Sequence, residues 1–263
     1  MIDPRDWEGK VHVGDCLDIV GGWPSGRVQL ILTSPPYNAD LDYGEMVNDN
    51  LPWSEYEGWA AQWVGAAKRL LCDGGRLAIV VASGMGRSPW YPLAASYIGA
   101  AAAWGLLSRA EIIWDKGPSR NNSTAWGSWC SPANPQIRDS HEVVLIFSKG
   151  TWGLPNPRGE TSDLRPDEFP GFTRSVWRVP CETRRQHPAP FPEALAQRLI
   201  KLYTWPGDHV LDPFLGSGTT AVVAERLGRR WIGCEINPEY AAMAEKRIQR
   251  ERDKLQLPLE ATR

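Results

Sequence analysis

The stretch Val210-Leu211-Asp212-Pro213-Phe214-Leu215-Gly216-Ser217-Gly218-Thr219-Thr220 constrains the fold of this chain more than any other. An apolar run ends in an acid, a glycine-bearing turn follows, and a helix-forming run opens directly behind it. Gly216 and Gly218 let the backbone come close to a ligand, and the unpaired N–H groups at a helix start favour a carboxylate or other anion. Such a unit belongs to an open, mainly parallel α/β sheet, which binds ligands beyond the carboxyl ends of its strands. About 20 residues on, the next strand-like run ends in Glu235, where an acid can accept hydrogen bonds from both hydroxyls of a ribose.

The rest of the 263 residues fits that frame. Strand-like runs at 10–13, 28–32, 76–81, 110–114, 142–147, 209–212 and 230–235 alternate with helical periodicity at 54–71, 92–107, 192–202 and 219–227. Gly74 and Gly75 are expected to stop the first of these helices. Asn237-Pro238-Glu239 starts a last one, with a cap, a proline at the first helical position and an early acid. Residues 88–108 carry no charge, but their Ala and Gly content and early prolines predict a buried helix rather than a membrane span. Two stretches break the pattern. Residues 115–139 are rich in Asn, Ser, Pro and Trp, and 150–187 accumulate Pro and Gly together with Arg158, Arg165, Arg174, Arg178, Arg184 and Arg185. The chain thus divides into 1–150, an insertion at 151–186, and 187–263, the outer two being halves of one domain.

A net charge of -2 excludes a uniformly basic protein but leaves room for a local basic face. The five scattered cysteines form no C-x-x-C, and no cluster of His, Cys and acids has metal spacing. With no basic-then-apolar leader at Met1, a soluble cytoplasmic protein without a metal is expected. Fourteen tryptophans supply rigid aromatic surface for packing or for gripping nucleobases.

No Lys follows the glycines at 216 and 218, so a nucleoside triphosphate is disfavoured, and Ala221 stands where a dinucleotide-binding turn has its third glycine. Asp212 suits an ammonium or sulfonium group better than a pyrophosphate. A ligand with ribose, carboxylate, ammonium and positive sulfur matches all the parts, which describes S-adenosyl-L-methionine. Thr33-Ser34-Pro35-Pro36-Tyr37 ends another strand-like run. This turn suits methylation of an exocyclic amine, whose lone pair is delocalised into the base. Ser34 Oγ and the Pro35 carbonyl would accept its two N–H bonds, the prolines would stiffen the turn, and Tyr37 would stack on an extruded base. Read alone, the Pro-Pro pair also fits a rigid turn and Tyr37 a core aromatic. A second strand-end motif demanding the same chemistry favours the functional reading.

Together these motifs resemble those of DNA amino-methyltransferases acting on cytosine N4 or adenine N6. Ser34-Pro35-Pro36-Tyr37 resembles the family's catalytic motif and 212–218 its cofactor motif, in the permuted order of the β class. Residues 187–192, containing His187 and Phe191, look like a further cofactor motif. Asp15-Cys16 resembles the acid that reaches the cofactor adenine, and 141–149 resembles a late strand of the catalytic half. The resemblance implies a Rossmann-like S-adenosylmethionine-dependent methyltransferase fold with a mainly parallel, seven-stranded-type sheet in circularly permuted order, carrying a small loop-rich recognition insertion. It implies cofactor contacts from Asp15, Cys16, Thr33, Asp212, Pro213, Phe214, Gly216, Ser217, Gly218, Thr219, Thr220, Glu235, His187 and Phe191, and catalysis at Ser34, Pro35, Pro36 and Tyr37. Double-stranded DNA is the implied partner, with the target base flipped out; a homodimer and a cognate restriction endonuclease are left open. Serine at 34 points to cytosine N4, with adenine N6 as the alternative.

For DNA contact the sequence offers Asn121, Asn122 and Trp126 in one irregular stretch, and Arg174, Arg178, Arg184 and Arg185 in the other. Loop packing and a solvated charged loop are the competing explanations. The helix after Pro238 reads as an amphipathic surface helix, and His141 and His187 as structural. A dinucleotide-dependent oxidoreductase, or a DNA-binding module with a dead pocket, are the more distant alternatives.

Overall fold

The computed structural model describes residues 6–40, 49–86, 89–117, 127–137, 139–181 and 191–256. Among them eight strands form one sheet: β1 (Val11–Val13), β2 (Val28–Thr33), β3 (Leu71–Val81), β4 (Leu107–Asp115), β5 (His141–Ser148), β6 (Val176–Arg178), β7 (His209–Asp212) and β8 (Arg230–Glu235). Their order is β1-β8-β7-β2-β3-β5-β4-β6. The first five in that order pair in parallel, and β5 alone runs against both its neighbours. The expected mainly parallel sheet of seven strands is present, with the short β6 added at one edge.

Alternation along the buried strands divides the core in two. Ile31, Leu77, Ile79, Leu145, Leu211 and Ile232 face helices α1 (Cys16–Gly21), α2 (Trp53–Leu70) and α3 (Leu93–Ala103). Leu30, Leu32, Ala78, Val80, Val144, Ile146 and Val210 face α5 (Glu193–Tyr203), α6 (Thr219–Arg226) and α7 (Pro238–Gln256), while α4 (Phe169–Phe172) is a single turn. Helix α2 shows why such segments are helical. Tyr56, Ala60, Trp63, Ala67 and Leu70 fall on one buried stripe, Glu55 sits in the first turn, and Lys68 and Arg69 complement the dipole in the last. Arg69 reaches back to the carbonyls of Val20 and Trp23, at 2.6 and 2.5 Å, tying α2 to the end of α1.

Several boundaries differ from the sequence expectation. Helix α2 ends at Leu70, before the glycines, and Gly74 and Gly75 lie instead in β3, where its register with β2 shifts. Gly74 has φ +74, and a Cβ there would sit 1.9 Å from the Gly153 carbonyl oxygen, so close chain passage requires glycine at this point. Helix α3 stops at Ala103, and Leu107 already belongs to β4. This helix is buried on one face only, with Ile98 39% exposed and Trp104, just past its end, 46% exposed. None of the described helices is long and apolar enough to cross a membrane. Helix α1, six residues long, carries too little periodicity to be read from sequence.

The described part of the insertion expected from sequence, 151–181, divides in two. Its first part is pinned by three ion pairs: Arg158 to Asp208 at 2.7 Å, Asp163 to Arg229, and Glu168 to Lys201 at 2.8 Å. Asp208 and Arg229 immediately precede β7 and β8, so this part crosses the amino ends of those strands. Only at β6, paired with Ile113–Asp115 at the carboxyl end of β4, does the chain return to the opposite end of the sheet. Arg198 lies 5.2 Å from the Phe172 ring and 5.4 Å from that of Trp177, bracing this return against α5.

The Arg229 side chain is fully buried, with Nε and Nη2 bonded to Thr204 and both terminal nitrogens to Asp163. Asp163→Ala strands that cation, and is expected to lower the unfolding free energy by about 3 kcal/mol. Urea denaturation measures it; a change below about 1 kcal/mol, the scale of an exposed pair, would mean that solvent reaches the guanidinium.

Candidate active site

Strands β2 and β7 are neighbours, with Leu30 opposite Val210 and Ile31 opposite Leu211, so the two motifs read from sequence leave the sheet side by side. Thr33 Oγ1 donates to Asp212 Oδ1 at 2.6 Å, Thr220 Oγ1 to Oδ2 at 2.6 Å, and the Phe214 N–H to Oδ1 at 3.1 Å. Asp212 is 1% exposed, and burial pushes its carboxyl up to about 6 despite these donors. Its two oxygens face protein hydroxyls, whereas the sequence reading directed them at a ligand ammonium. Thr33 likewise spends its hydroxyl on this joint.

The glycine turn is built on the next strand. Leu215 N–H donates to the Cys234 carbonyl at 2.8 Å, and Gly216 N–H to Glu235 Oε2 at 2.7 Å. The other carboxylate oxygen of Glu235 accepts the Asn237 N–H at 2.9 Å, and burial raises the pKa of this group too. Gly216 and Gly218 have φ 53 and 84, the left-handed region glycine supplies at low cost. A Cβ on Gly218 would also lie 2.9 Å from Ala244 Cβ, so contact with α7 demands this glycine independently of any ligand. The hydroxyls of Ser217 and Thr219, at 2.8 and 3.4 Å, receive Nη1 of Arg247, which also donates to the Ser217 carbonyl; Nη2 of Arg247 reaches Glu193 at 3.0 Å. Helix α7 is thus more than an amphipathic surface element: its Arg247 braces the turn. The side chains of Ser217, Thr219 and Thr220 turn into the protein, and the backbone of 213–218 forms the turn's floor.

Further along this end of the sheet, Val13 of β1 pairs with Glu235, and the exposed Asp15 caps α1 by accepting the Leu17 N–H at 2.7 Å. Cys16 is a core residue, its thiol pushed up to about 12 by burial. Pro213 is buried, and the Phe214 ring packs 5.4 Å from those of Trp59 and Trp63. Phe191 is buried against the α5 side of the sheet, and His187 lies outside the described residues.

The 34–37 turn is held from several elements. The Tyr37 hydroxyl is 3.1 Å from Ser34 Oγ and 3.2 Å from both the Val80 carbonyl oxygen and Glu142 Oε2. Lys116 pairs with Glu142. Tyr56, kept neutral by burial, donates to the Pro36 carbonyl at 2.7 Å and lies 2.7 Å from the Tyr97 hydroxyl. Behind the turn, Asn38 takes φ 58; its N–H and that of Ala39 donate to Asp49, while its side chain pairs with the backbone of Leu51. Sequence reading missed Asp49, Tyr56, Tyr97, Lys116 and Arg247, and took Glu142 only as part of a strand. None of these carries a local pattern, because each acts through a partner remote in the chain. His141 lies 3.3 Å from Ser83 Oγ, the structural hydrogen bond expected of it.

Of the residues read as DNA-facing, Arg178 is on β6 with its side chain 80% exposed, donating to Asp115 at 2.9 Å, and Arg174 is exposed just before it. Asn121, Asn122, Trp126, Arg184 and Arg185 lie outside the described residues. Trp129, 69% exposed, sits on a turn closed by the Gly127–Pro135 bridge.

Comparison with known proteins gives a consistent picture. A family model described as DNA methylase, of the N6/N4 type, matches residues 28–246. The Type II methyltransferase M.BglII of Bacillus subtilis is 28% identical over 256 residues, covering 92% of this chain and 69% of that protein. M.MjaVI of Methanocaldococcus jannaschii is 31% identical over 163 residues, covering 62% of this chain and 82% of the relative. Among solved structures, TTHA0409 of Thermus thermophilus complexed with S-adenosyl-L-methionine superposes with a TM-score of 0.74 at 32% identity, covering 92% of this chain and 95% of that one.

The buried Asp212 has a consequence for stability. Its carboxyl titrates near 6 in the folded chain against an ordinary 3.8, so between these values the folded state holds more proton than the unfolded one. Stability from this group is therefore fully present below about pH 4, falls as pH rises to about 6, and is flat above; the loss is about 3 kcal/mol. Asp212→Asn cannot titrate. The unfolding free energy of the variant minus that of wild type is expected to rise by that amount from pH 4 to pH 7 in urea titrations, and a constant difference would show that the carboxylate is solvated.

Proposed function

This chain belongs to the N6/N4 DNA methylase family, whose model spans residues 28–246, and from that premise we propose that it methylates the exocyclic N4 of a cytosine flipped out of double-stranded DNA, with S-adenosyl-L-methionine as donor. The observation that carries the reading is the 2.6 Å bond from Thr33 to Asp212, which joins the turn bearing Ser34 to the strand that opens the glycine turn.

The donor supplies a methyl group on a positively charged sulfur. The residues of this chain suit such a ligand: Glu235 takes the Gly216 N–H on one oxygen and the Asn237 N–H on the other, and its carboxylate is the acid proposed to accept the ribose hydroxyls. Asp15 stands on the adjacent strand end, and the backbone at Gly216 allows close approach. The relative from Thermus thermophilus, solved with this ligand, supports the choice.

At the amine, Ser34 Oγ and the Pro35 carbonyl accept the two N–H bonds and hold the nitrogen lone pair out of conjugation. They also stabilise charge as it develops on that nitrogen. The methylated ammonium is acidic enough to release its proton to water, so no strong base is needed. Serine rather than aspartate at 34 favours cytosine over adenine, following the association of Ser-Pro-Pro-Tyr with cytosine N4 in this family. Arg174 and Arg178 stand at the end of the sheet where the two motifs emerge, and residues 115–139 and 174–190 are the segments proposed to meet DNA. A cognate endonuclease fits the Type II names of the relatives.

Nucleosides from DNA treated with enzyme and donor are expected to contain N4-methyldeoxycytidine by mass spectrometry. N6-methyldeoxyadenosine in its place would reassign the target base, and the absence of any methylated nucleoside would overturn the reading. Ser34→Ala is expected to lower kcat by on the order of 10²-fold with little change in the KM for the donor.

A further inference from the structure

A serine hydroxyl carries its own proton, and while that proton points at a substrate amine the oxygen is a poor acceptor for it. A carboxylate at the same position has no such difficulty. The surroundings of Ser34 remove the ambiguity. The Tyr37 oxygen lies 3.2 Å from two groups, the Val80 carbonyl and Glu142 Oε2. A carbonyl and an ionised carboxylate accept only, so the single phenolic proton is directed to them. At the 3.1 Å contact with Ser34 Oγ the phenolic oxygen is then the acceptor and Ser34 the donor. Lys116 pairs with the other oxygen of Glu142 and lies 5.0 Å from the Trp114 ring centroid, which fixes the far end of the chain. The side chains of Glu142 and Lys116 are only 15% and 22% exposed, so water competes weakly for these bonds.

We infer that Glu142, held by Lys116, acts through Tyr37 as a positioning residue that draws the Ser34 proton away from the substrate and leaves the Ser34 lone pairs to the target amine. The inference rests on the proposed methyl transfer and adds the device that makes serine a competent acceptor in it. The groups come from four places in the sheet: Ser34 and Tyr37 follow β2, Val80 is in β3, Lys116 follows β4 and Glu142 lies at the start of β5. The direction of hydrogen bonding is decided only by their convergence.

The test compares kcat and both KM values of Tyr37→Phe, Glu142→Gln and the double variant, with donor and DNA each varied up to saturation. Tyr37→Phe removes the hydroxyl that accepts the Ser34 proton. Glu142→Gln keeps the size of the side chain but offers an amide N–H that can donate to the phenolic oxygen and reverse the chain. Each single variant is expected to lose on the order of tenfold in kcat with both KM values within about twofold, and the double variant to lose no more than either alone. In protein carrying 13C at tyrosine Cζ, Glu142→Gln is expected to move the Tyr37 resonance, identified by its loss in Tyr37→Phe. Losses that multiply in the double variant, unchanged kcat in both single variants, or a Tyr37 resonance indifferent to Glu142 would each overturn the inference. Should Glu142→Gln fail to fold, Lys116→Met takes its place in the cycle and is expected to act in the same direction. Ser34→Ala separates the two levels: full activity in that variant would sink the role of Ser34 itself, whereas a strong loss there beside normal Tyr37→Phe and Glu142→Gln enzymes would sink only the relay.

Discussion

One buried carboxylate joins the two motifs of this protein. Asp212, at the end of β7, accepts from Thr33 at the end of β2 and from Thr220 at the start of α6. Burying an acid costs free energy, and the raised pKa of Asp212 is the sign of that cost. In return, three hydrogen bonds lock the mouths of two adjacent strands that are remote in the chain. The parallel pairing of β2 and β7 makes the permuted motif order workable, because the crevice needs the strands to be neighbours in the sheet and not in sequence.

The positions on either side of this joint have different tasks. On the β7 and β8 side, the hydroxyls of the glycine turn are spent on Arg247 and Asp212, and Glu235 holds the turn through backbone N–H groups. The turn is rigid because its polar side chains look inward. On the β2 side, two prolines lack donors, and Tyr37, Tyr56 and Asn38 tether the chain around them. A site for an in-line transfer gains from such stiffness, since reacting atoms must be held within a few tenths of an ångström.

Electrostatics also divide the arginine-rich insertion. Arg165 pairs with the local Asp167, whereas Arg158 binds Asp208 and Asp163 and Glu168 bind Arg229 and Lys201, so the first part of the insertion is a strap across the amino ends of the strands. Arg174 and Arg178 lie past the strap, on the return toward the crevice. Equal-looking arginines in one loop-rich stretch therefore serve different ends of the molecule, and only the course of the chain tells them apart.

Much of this was legible in the sequence, since hydrophobic alternation and glycine punctuation are local signals. The spans of β7 and β8, the start of α6 after Gly218 and the start of α7 at Pro238 follow from residues within a few positions of each other. So does the pairing of a strand-end Ser-Pro-Pro-Tyr with a strand-end glycine turn, which narrowed the chemistry to one family. Tertiary structure alone decided which polar side chains of the motifs are spent on the protein. The sequence offers Asp212 and Thr33 as ligand contacts, and the structure adds that each holds the other; it offers Gly218 for a ligand, and the structure adds that Ala244 packs against it. Glu142 reads as the polar start of a strand until Tyr37 arrives beside it. A hydrogen bond between residues far apart in the chain leaves no periodicity behind, because it depends on distances that exist only once the sheet has formed.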